Sequence, residues 1–461
     1  MHAFAEKLRA FAHSPLATLL LFLCAYAAAI LERPAIGICL MVAVACLYCV
    51  MQDDVLPLLL PLLLIYGLSF LCPSSPYLAW LGLPCGAALV YRMVANLRPF
   101  RPGPAFPALV ATSLAVLLGG LGSITAEEYF APNALFIVLG LSLMLIAFYL
   151  LLRGSLLRPR DYDVADYVSL VMYAAAVFVS FLLLRVFLLH PDLLEEPNGL
   201  VERLEAYMVW RNGASNLVIL CLPFIFYYAR RHGLHHLLAA VAVYVIGAFS
   251  GARAFILCGA VLLLAGFFYC AYGHRRTICA LLALAVLALF GAFLLREQIL
   301  YFIEDVLCFR LDRDFHDEAR YKLFLRAIED FCHAPLFGRG MGYTGNDDIY
   351  PLLSVEADAA RWRVHWYHCL IPQIFGSLGL VGVFAYGYQL FVRLRLFWRA
   401  KRTPFLVTLF FTYACSLGYS MLDPGIFSPM PFAILTVLTV TLLEVQPKRR
   451  GKEATGDVVD F

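Results

Sequence analysis

Apolar runs of helical length, separated by short polar punctuation, fill most of this chain. A membrane-crossing helix needs about 20 mostly apolar residues. Runs that meet this requirement lie near 15–30, 34–50, 55–72, 77–95, 105–122, 131–153, 166–189, 213–229, 235–250, 253–272, 277–295, 366–392, 403–421 and 427–444. The pattern predicts an all-α polytopic membrane protein with about 12–14 transmembrane helices. The stretch 235–272 is interrupted by Ser250-Gly251-Ala252-Arg253, so it reads either as two helices or as one broken segment. The first run has the length of a signal peptide, but so many spans follow that it is read as a retained helix.

Two connections break the rhythm. Residues 190–212 are acidic (Asp192, Glu195, Glu196, Glu202, Glu205), and residues 296–365 form a long loop of mixed charge with considerable apolar and aromatic content. Long loops in compact proteins are usually functional or disordered, and the aromatic content argues against disorder here. The chain thus divides into N-terminal membrane helices (1–204), further helices (205–295), the large loop (296–365), C-terminal helices (366–445) and a polar tail (446–461).

Composition agrees: 62% of residues are hydrophobic and 15% charged, with a mean hydropathy of +0.81. A soluble domain is about half apolar and a quarter charged. The net charge of +3 and the lack of a basic, aromatic-interleaved soluble stretch exclude a nucleic-acid partner. Charge decides the orientation. With the N-terminus inside, the inner segments hold Lys7 and Arg9; Arg92, Arg98 and Arg101; Arg153, Arg158 and Arg160; Arg230 and Arg231; Arg275 and Arg276; Arg393, Arg395, Arg399, Lys401 and Arg402; and Lys448, Arg449, Arg450 and Lys452. The short outer loops hold only Arg33, Arg203, Arg211 and Arg253. Lys and Arg collect in cytoplasmic loops, so both termini are expected in the cytoplasm and the large loop outside.

Five basic residues on the predicted outer side are then the candidates for chemistry: Arg211, Arg253, Arg320, His365 and His368. A charge near hydrocarbon is costly without a partner, so a basic cluster there calls for an anion. Arg253 lies between two apolar runs. Arg320 heads an amphipathic helix expected over 318–331, with Leu323, Phe324, Ala327, Ile328 and Phe331 on its own face by helical period. It either snorkels to lipid phosphate or holds a substrate phosphate. The arginine fork suits a diphosphate because it binds two oxygens at once and stays charged. His365 and His368, three residues apart, share one side of the next span. A neutral imidazole there can take a proton from an attacking hydroxyl; the alternative is that the pair simply accompanies an interfacial belt of Trp362, Trp366 and Tyr367. Gly338-Arg-Gly-Met-Gly342 lacks the preceding strand and the Lys-Ser/Thr ending of a phosphate loop, and reads as a turn ending the amphipathic helix.

No metal or cofactor is expected. Most of the fourteen cysteines sit inside apolar runs as small hydrophobes. Cys46 and Cys49 have metal spacing but fall mid-helix, and the two histidines lack an evident acidic third ligand. Cys308 and Cys332 share the long loop, where an extracytoplasmic setting would permit a disulfide.

In their order, these blocks resemble the O-antigen ligase and O-antigen polymerase superfamily of bacterial membrane glycosyltransferases. Arg211-Asn-Gly-Ala-Ser-Asn216 resembles the family's Arg…Gly…Asn segment, and Ser250-Gly-Ala-Arg253-Ala its Ser-x-x-Arg-Gly/Ala segment. Arg320 with Phe324, then Pro335…Gly338-Arg-Gly340, resembles the Arg-x-x-x-aromatic helix followed by Pro-Leu-x-Gly-x-Gly. His368 before Gly376-Ser-Leu-Gly379-Leu-Val-Gly382 resembles the His-Asn block that opens the next helix. The likeness covers roughly residues 205–390, with two departures: the family's Asn is Cys369, and Trp366 replaces the earlier histidine, so His365 stands three residues before His368. The resemblance implies an undecaprenyl-diphosphate-linked glycan as donor, a glycan or lipid-linked acceptor, and metal-independent, inverting transfer on the outer face of the bacterial cytoplasmic membrane. It also implies that Arg253, Arg320 and Arg211 bind the diphosphate and that His368 or His365 acts on the hydroxyl. The main rival is a lipid-linked oligosaccharide flippase or other transporter. Against it stand the lack of two matching halves and the position of the charges at one face.

Overall fold

The apolar runs fold as helices, and no strand occurs among the described residues. The computed structural model describes residues 2–72, 81–96, 102–120, 134–195, 204, 207, 211–272, individual positions between 278 and 300, 319–341, 367–422 and 434–447. The helices are α1 (His2–Ala12), α2 (Pro15–Ile30), α3 (Pro34–Met51), α4 (Leu59–Ser69), α5 (Gly82–Asn96), α6 (Phe106–Leu118), α7 (Ala134–Leu141), α8 (Leu143–Leu156), α9 (Val164–Leu189), α10 (Arg211–His232), α11 (His236–Ala248), α12 (Arg253–Ala271), α13 (Ala319–His333), α14 (Leu370–Arg399), α15 (Pro404–Ser420) and α16 (Ile434–Val445). Six helical stretches are long and apolar enough to cross a membrane, and seven shorter apolar helices accompany them. The chain is a multi-pass, all-α membrane protein. Only individual positions of the predicted span at 277–295 are described, and most of the loop 296–365 lies outside the described residues.

Helix α10 is the axis. It packs against α9, α11, α12 and α15, and 89% of its apolar window is buried. A helix that is apolar all round belongs inside a bundle. Helix α12 behaves oppositely: Leu257, Val261, Leu264 and Phe268 form an exposed stripe at helical spacing, the surface that a bilayer covers. The stretch 235–272 resolves as two helices, separated by Phe249–Ala252, with Gly251 in the left-handed region at φ 68°. Helix α14 runs to Arg399, seven residues beyond the predicted end, and so Arg393 becomes a buried helix residue. Its guanidinium lies 4.8 Å over the Tyr413 ring, a cation–π contact.

Charge sorts the two ends. At one end Asp53 pairs with Arg92 at 2.6 Å, Arg158 at 2.9 Å and Arg9 at 3.9 Å. Asp54 pairs with Arg160 at 3.2 Å and His13 at 3.1 Å, and accepts hydrogen bonds from Ser155 and Tyr162. Burial alone would raise the Asp54 carboxyl, but the His13 bond, the Arg160 charge and the two hydroxyls hold it far below the usual range. Arg231 joins Asp163 at 2.8 Å and Asp166 at 3.0 Å. Arg153 and Tyr149 meet the fully buried Glu444 carboxylate. Every basic residue in these clusters that was assigned to the inside thus shares one end of the bundle. The starts of α10, α12 and α14 lie at the other end.

Candidate functional site

The four sequence blocks form two pairs at that second end. The first pair joins the head of α10 to the turn between α11 and α12. Ser215 and Ser250, both fully buried, share a 2.8 Å hydrogen bond between hydroxyls, and the Ser250 hydroxyl also accepts from the Ala252 amide at 3.3 Å. Gly213 makes the approach of α4 possible, since a β-carbon there would lie 2.7 Å from the Tyr66 hydroxyl. Arg211 is the first residue of α10 and Arg253 the first of α12; their side chains lie outside the described residues. Helix α12 starts without a side-chain cap, so its first-turn amides and its dipole favour an anion beside Arg253.

The second pair joins α13 to α14. Helix α13 buries Leu323, Ala327 and Asp330 against α14, while Phe324 and Ile328 are exposed. Arg320 is its second residue, three before Leu323 on the same stripe by register; its side chain, too, is outside the described residues, and so is the whole of His365. Tyr367, only 3% exposed, is gripped twice. Its hydroxyl donates to Asp330 Oδ2 at 2.6 Å, and its amide donates to Gln373 Oε1 at 2.9 Å. The buried Gln373 amide nitrogen donates in turn to Ser377 Oγ at 2.8 Å. Arg339 Nε stands 3.5 Å from Asp330 Oδ1. Burial pushes the Asp330 carboxyl up, against the opposing effects of the Tyr367 bond and of Arg326 and Arg339. His368 follows Tyr367 directly and takes the left-handed conformation at φ 51°, uncommon for a side-chain-bearing residue. It is partly buried. Cys369 caps α14 without any side-chain hydrogen bond.

A knot of glycine backbone completes this region. Helix α14 breaks at Gly379 (φ 63°, ψ −157°), freeing carbonyls and amides in mid-span. The turn after α13 satisfies them. Arg339 N donates to Gly376 O at 2.9 Å and Gly340 N to Ser377 O at 2.8 Å, while Leu380 N donates to Pro335 O at 2.8 Å and Val381 N to Leu336 O at 3.1 Å. Gly120, at the end of α6, donates to Phe337 O at 3.0 Å. Irregular backbone at membrane depth is tolerated where it is buried in protein or lines a cavity. Helix α13 already ends at His333, five residues before Gly338, so the glycine segment 338–340 does not end it; its role is to seal a broken membrane helix.

Sequence reasoning missed Asp330, Tyr367, Gln373 and this glycine contact. Each left a signal. Asp330 falls seven residues after Leu323 on an apolar stripe, Gln373 is an amide inside an apolar span, and Gly119-Gly120, Gly338, Gly340, Gly376, Gly379 and Gly382 are spaced for close backbone approach. Compared with known families and with curated proteins, the chain matches no family model and no curated sequence.

Proposed function

We propose that this protein is a membrane glycosyltransferase of the O-antigen ligase and polymerase kind, moving a glycan from undecaprenyl diphosphate to an acceptor hydroxyl. In this reading Arg253 and Arg320, with Arg211, grip the diphosphate and stabilise its growing charge. The acceptor oxygen bonds to the anomeric carbon while the bond from that carbon to the diphosphate oxygen breaks, and undecaprenyl diphosphate departs with the electron pair. The hydroxyl proton passes to the imidazole of His368, or of His365, and then to water.

The observation that carries the reading is the pairing of blocks far apart in sequence, Ser215 with Ser250 and Asp330 with Tyr367, each at a helix end away from the Asp53–Asp54 cluster. The Tyr367 clamp adds support, because a catalytic imidazole must be held in one place to work. The test is glycan display in a deletion strain complemented with wild type, Arg253→Ala, Arg320→Ala or His368→Ala, each checked for membrane abundance. The variants are expected to be present yet inactive, with undecaprenyl-linked glycan accumulating on the outer side. Long accumulated chains then identify a ligase, and single repeat units a polymerase. Accumulation on the cytoplasmic side would mean a flippase and would end the transferase reading.

A further inference from the structure

A pocket between the α2–α3 turn and the end of α9 has no part in the transfer just described. The α2–α3 turn (Ala29, Glu32, Pro34), Leu71 after α4, the end of α9 (Arg185, Val186, His190) and Tyr207 line it. Arg185 lies four residues before the end of α9, with 14% of its side chain exposed. One terminal nitrogen reaches Glu32 Oε1 at 3.3 Å, and its buried Nε has no hydrogen-bond partner among the described residues. Glu32 is a weak partner: its side chain is 75% exposed, and its backbone is left-handed at φ 56°. His190 and Tyr207 stack with ring centroids 3.7 Å apart and form a flat wall. Leu31, Ile36, Leu188 and Leu189, on the same two chain turns, are large exposed apolar residues.

From this geometry we infer that the pocket binds the phosphate head of a membrane lipid. An arginine near the end of a spanning helix reaches for interfacial phosphate, and its fork fits two phosphate oxygens. Among the described residues the guanidinium is held in the pocket by one solvent-exposed carboxylate, which a phosphate displaces. The apolar neighbours face the bilayer and receive the lipid's hydrocarbon, while His190 and Tyr207 offer donors at head-group depth. The ligand chemistry is a lipid-borne phosphate, from a bulk phospholipid or a polyprenyl carrier. The inference does not depend on the transferase reading.

Native mass spectrometry of the full chain in detergent, titrated separately with phosphatidylglycerol, undecaprenyl phosphate and phosphatidylcholine, tests it. Wild type is expected to retain one of the two anionic lipids at lower concentration than phosphatidylcholine, and the tighter one identifies the source. Arg185→Gln is expected to raise the half-saturating concentration about fivefold, the scale of one basic contact with an anionic lipid. Glu32→Gln, on an exposed side chain that folding does not need, is expected to lower it. Arg33→Gln, exposed on the same turn and outside the pocket, should change nothing. Equal retention by wild type and Arg185→Gln overturns the proposal. So does weaker retention by Glu32→Gln, or a loss in Arg33→Gln that matches Arg185→Gln.

Discussion

Replacing Gly379 with alanine should nearly unfold the N-terminal part of α14. The native φ of 63° and ψ of −157° belong to a region that is essentially glycine's alone, and a side chain there costs roughly 1–3 kcal/mol. The added β-carbon would lie 2.5 Å from the Leu336 carbonyl carbon, 2.6 Å from its oxygen and 2.7 Å from Gly338 N. All three are backbone atoms, so no rotamer change relieves the clash. The turn must withdraw, and with it go the four hydrogen bonds between 335–340 and 376–381. At about 0.5–1.5 kcal/mol net for each bond, the sum with the backbone term is roughly 3–9 kcal/mol, against typical total stabilities of about 5–15 kcal/mol. Gly387→Ala is the control, because its β-carbon meets nothing within 4 Å and it lies in the same helix. Alanine there gains up to about 1 kcal/mol of helix propensity. Thermal unfolding in detergent can be followed with a thiol-reactive dye, since Cys49, Cys221 and Cys270 are buried and report on opening of the core. Gly379→Ala should melt far below wild type, and Gly387→Ala at or slightly above it. If Gly379→Ala melts where Gly387→Ala does, the glycine contact does not hold the helix together and the reasoning fails.

Two further substitutions probe the Tyr367 clamp. Burial raises the Asp330 carboxyl above its ordinary 3.8, so the stability it contributes is full below that value and is lost as pH rises through the higher folded value. Asp330→Asn removes the titration, and its melting temperature relative to wild type should therefore rise between pH 4 and pH 7; a constant difference would mean that the carboxyl is not strained by burial. Cys369→Asn places a capping side chain where the N-cap of α14 has none; it should stabilise by about 1 kcal/mol, seen as a higher melting point, and an unchanged or lower one would show that the cap position is closed to a polar group.

Much of this architecture was legible because a bilayer imposes a strong, simple code. Thirteen of the fourteen predicted spans fall on apolar helices (six long and seven shorter). Arg9, Arg92, Arg158, Arg160 and Arg231, grouped by a charge-counting rule, gather around acidic residues at one end. Boundaries were less legible, because helix length in a bundle follows packing: α14 extends to Arg399 where Tyr413 covers Arg393. The site was legible only as to residue type. Arg253 and His368 stand out because charged and titratable groups near hydrocarbon need a reason, but the groups that position them look ordinary in sequence.

Tyr367 shows why. In the chain it reads as one member of an interfacial aromatic belt, whose role is to sit at head-group level. In the fold it is 3% exposed, and it ties the amphipathic helix α13 to the long helix α14 through Asp330 and Gln373. No local pattern distinguishes these roles, because the partners lie 37 residues before it and 6 after it. The same holds for Gly379, whose conformation makes sense only once the turn at 335–340 is seen to supply the missing hydrogen bonds. What the sequence conceals here is the pairing of segments. His368 stands in an uncommon backbone conformation two residues before α14, next to a doubly held tyrosine. A belt residue would need none of that support, and this supports the proposal that the histidine, rather than its aromatic neighbours, has the chemical role.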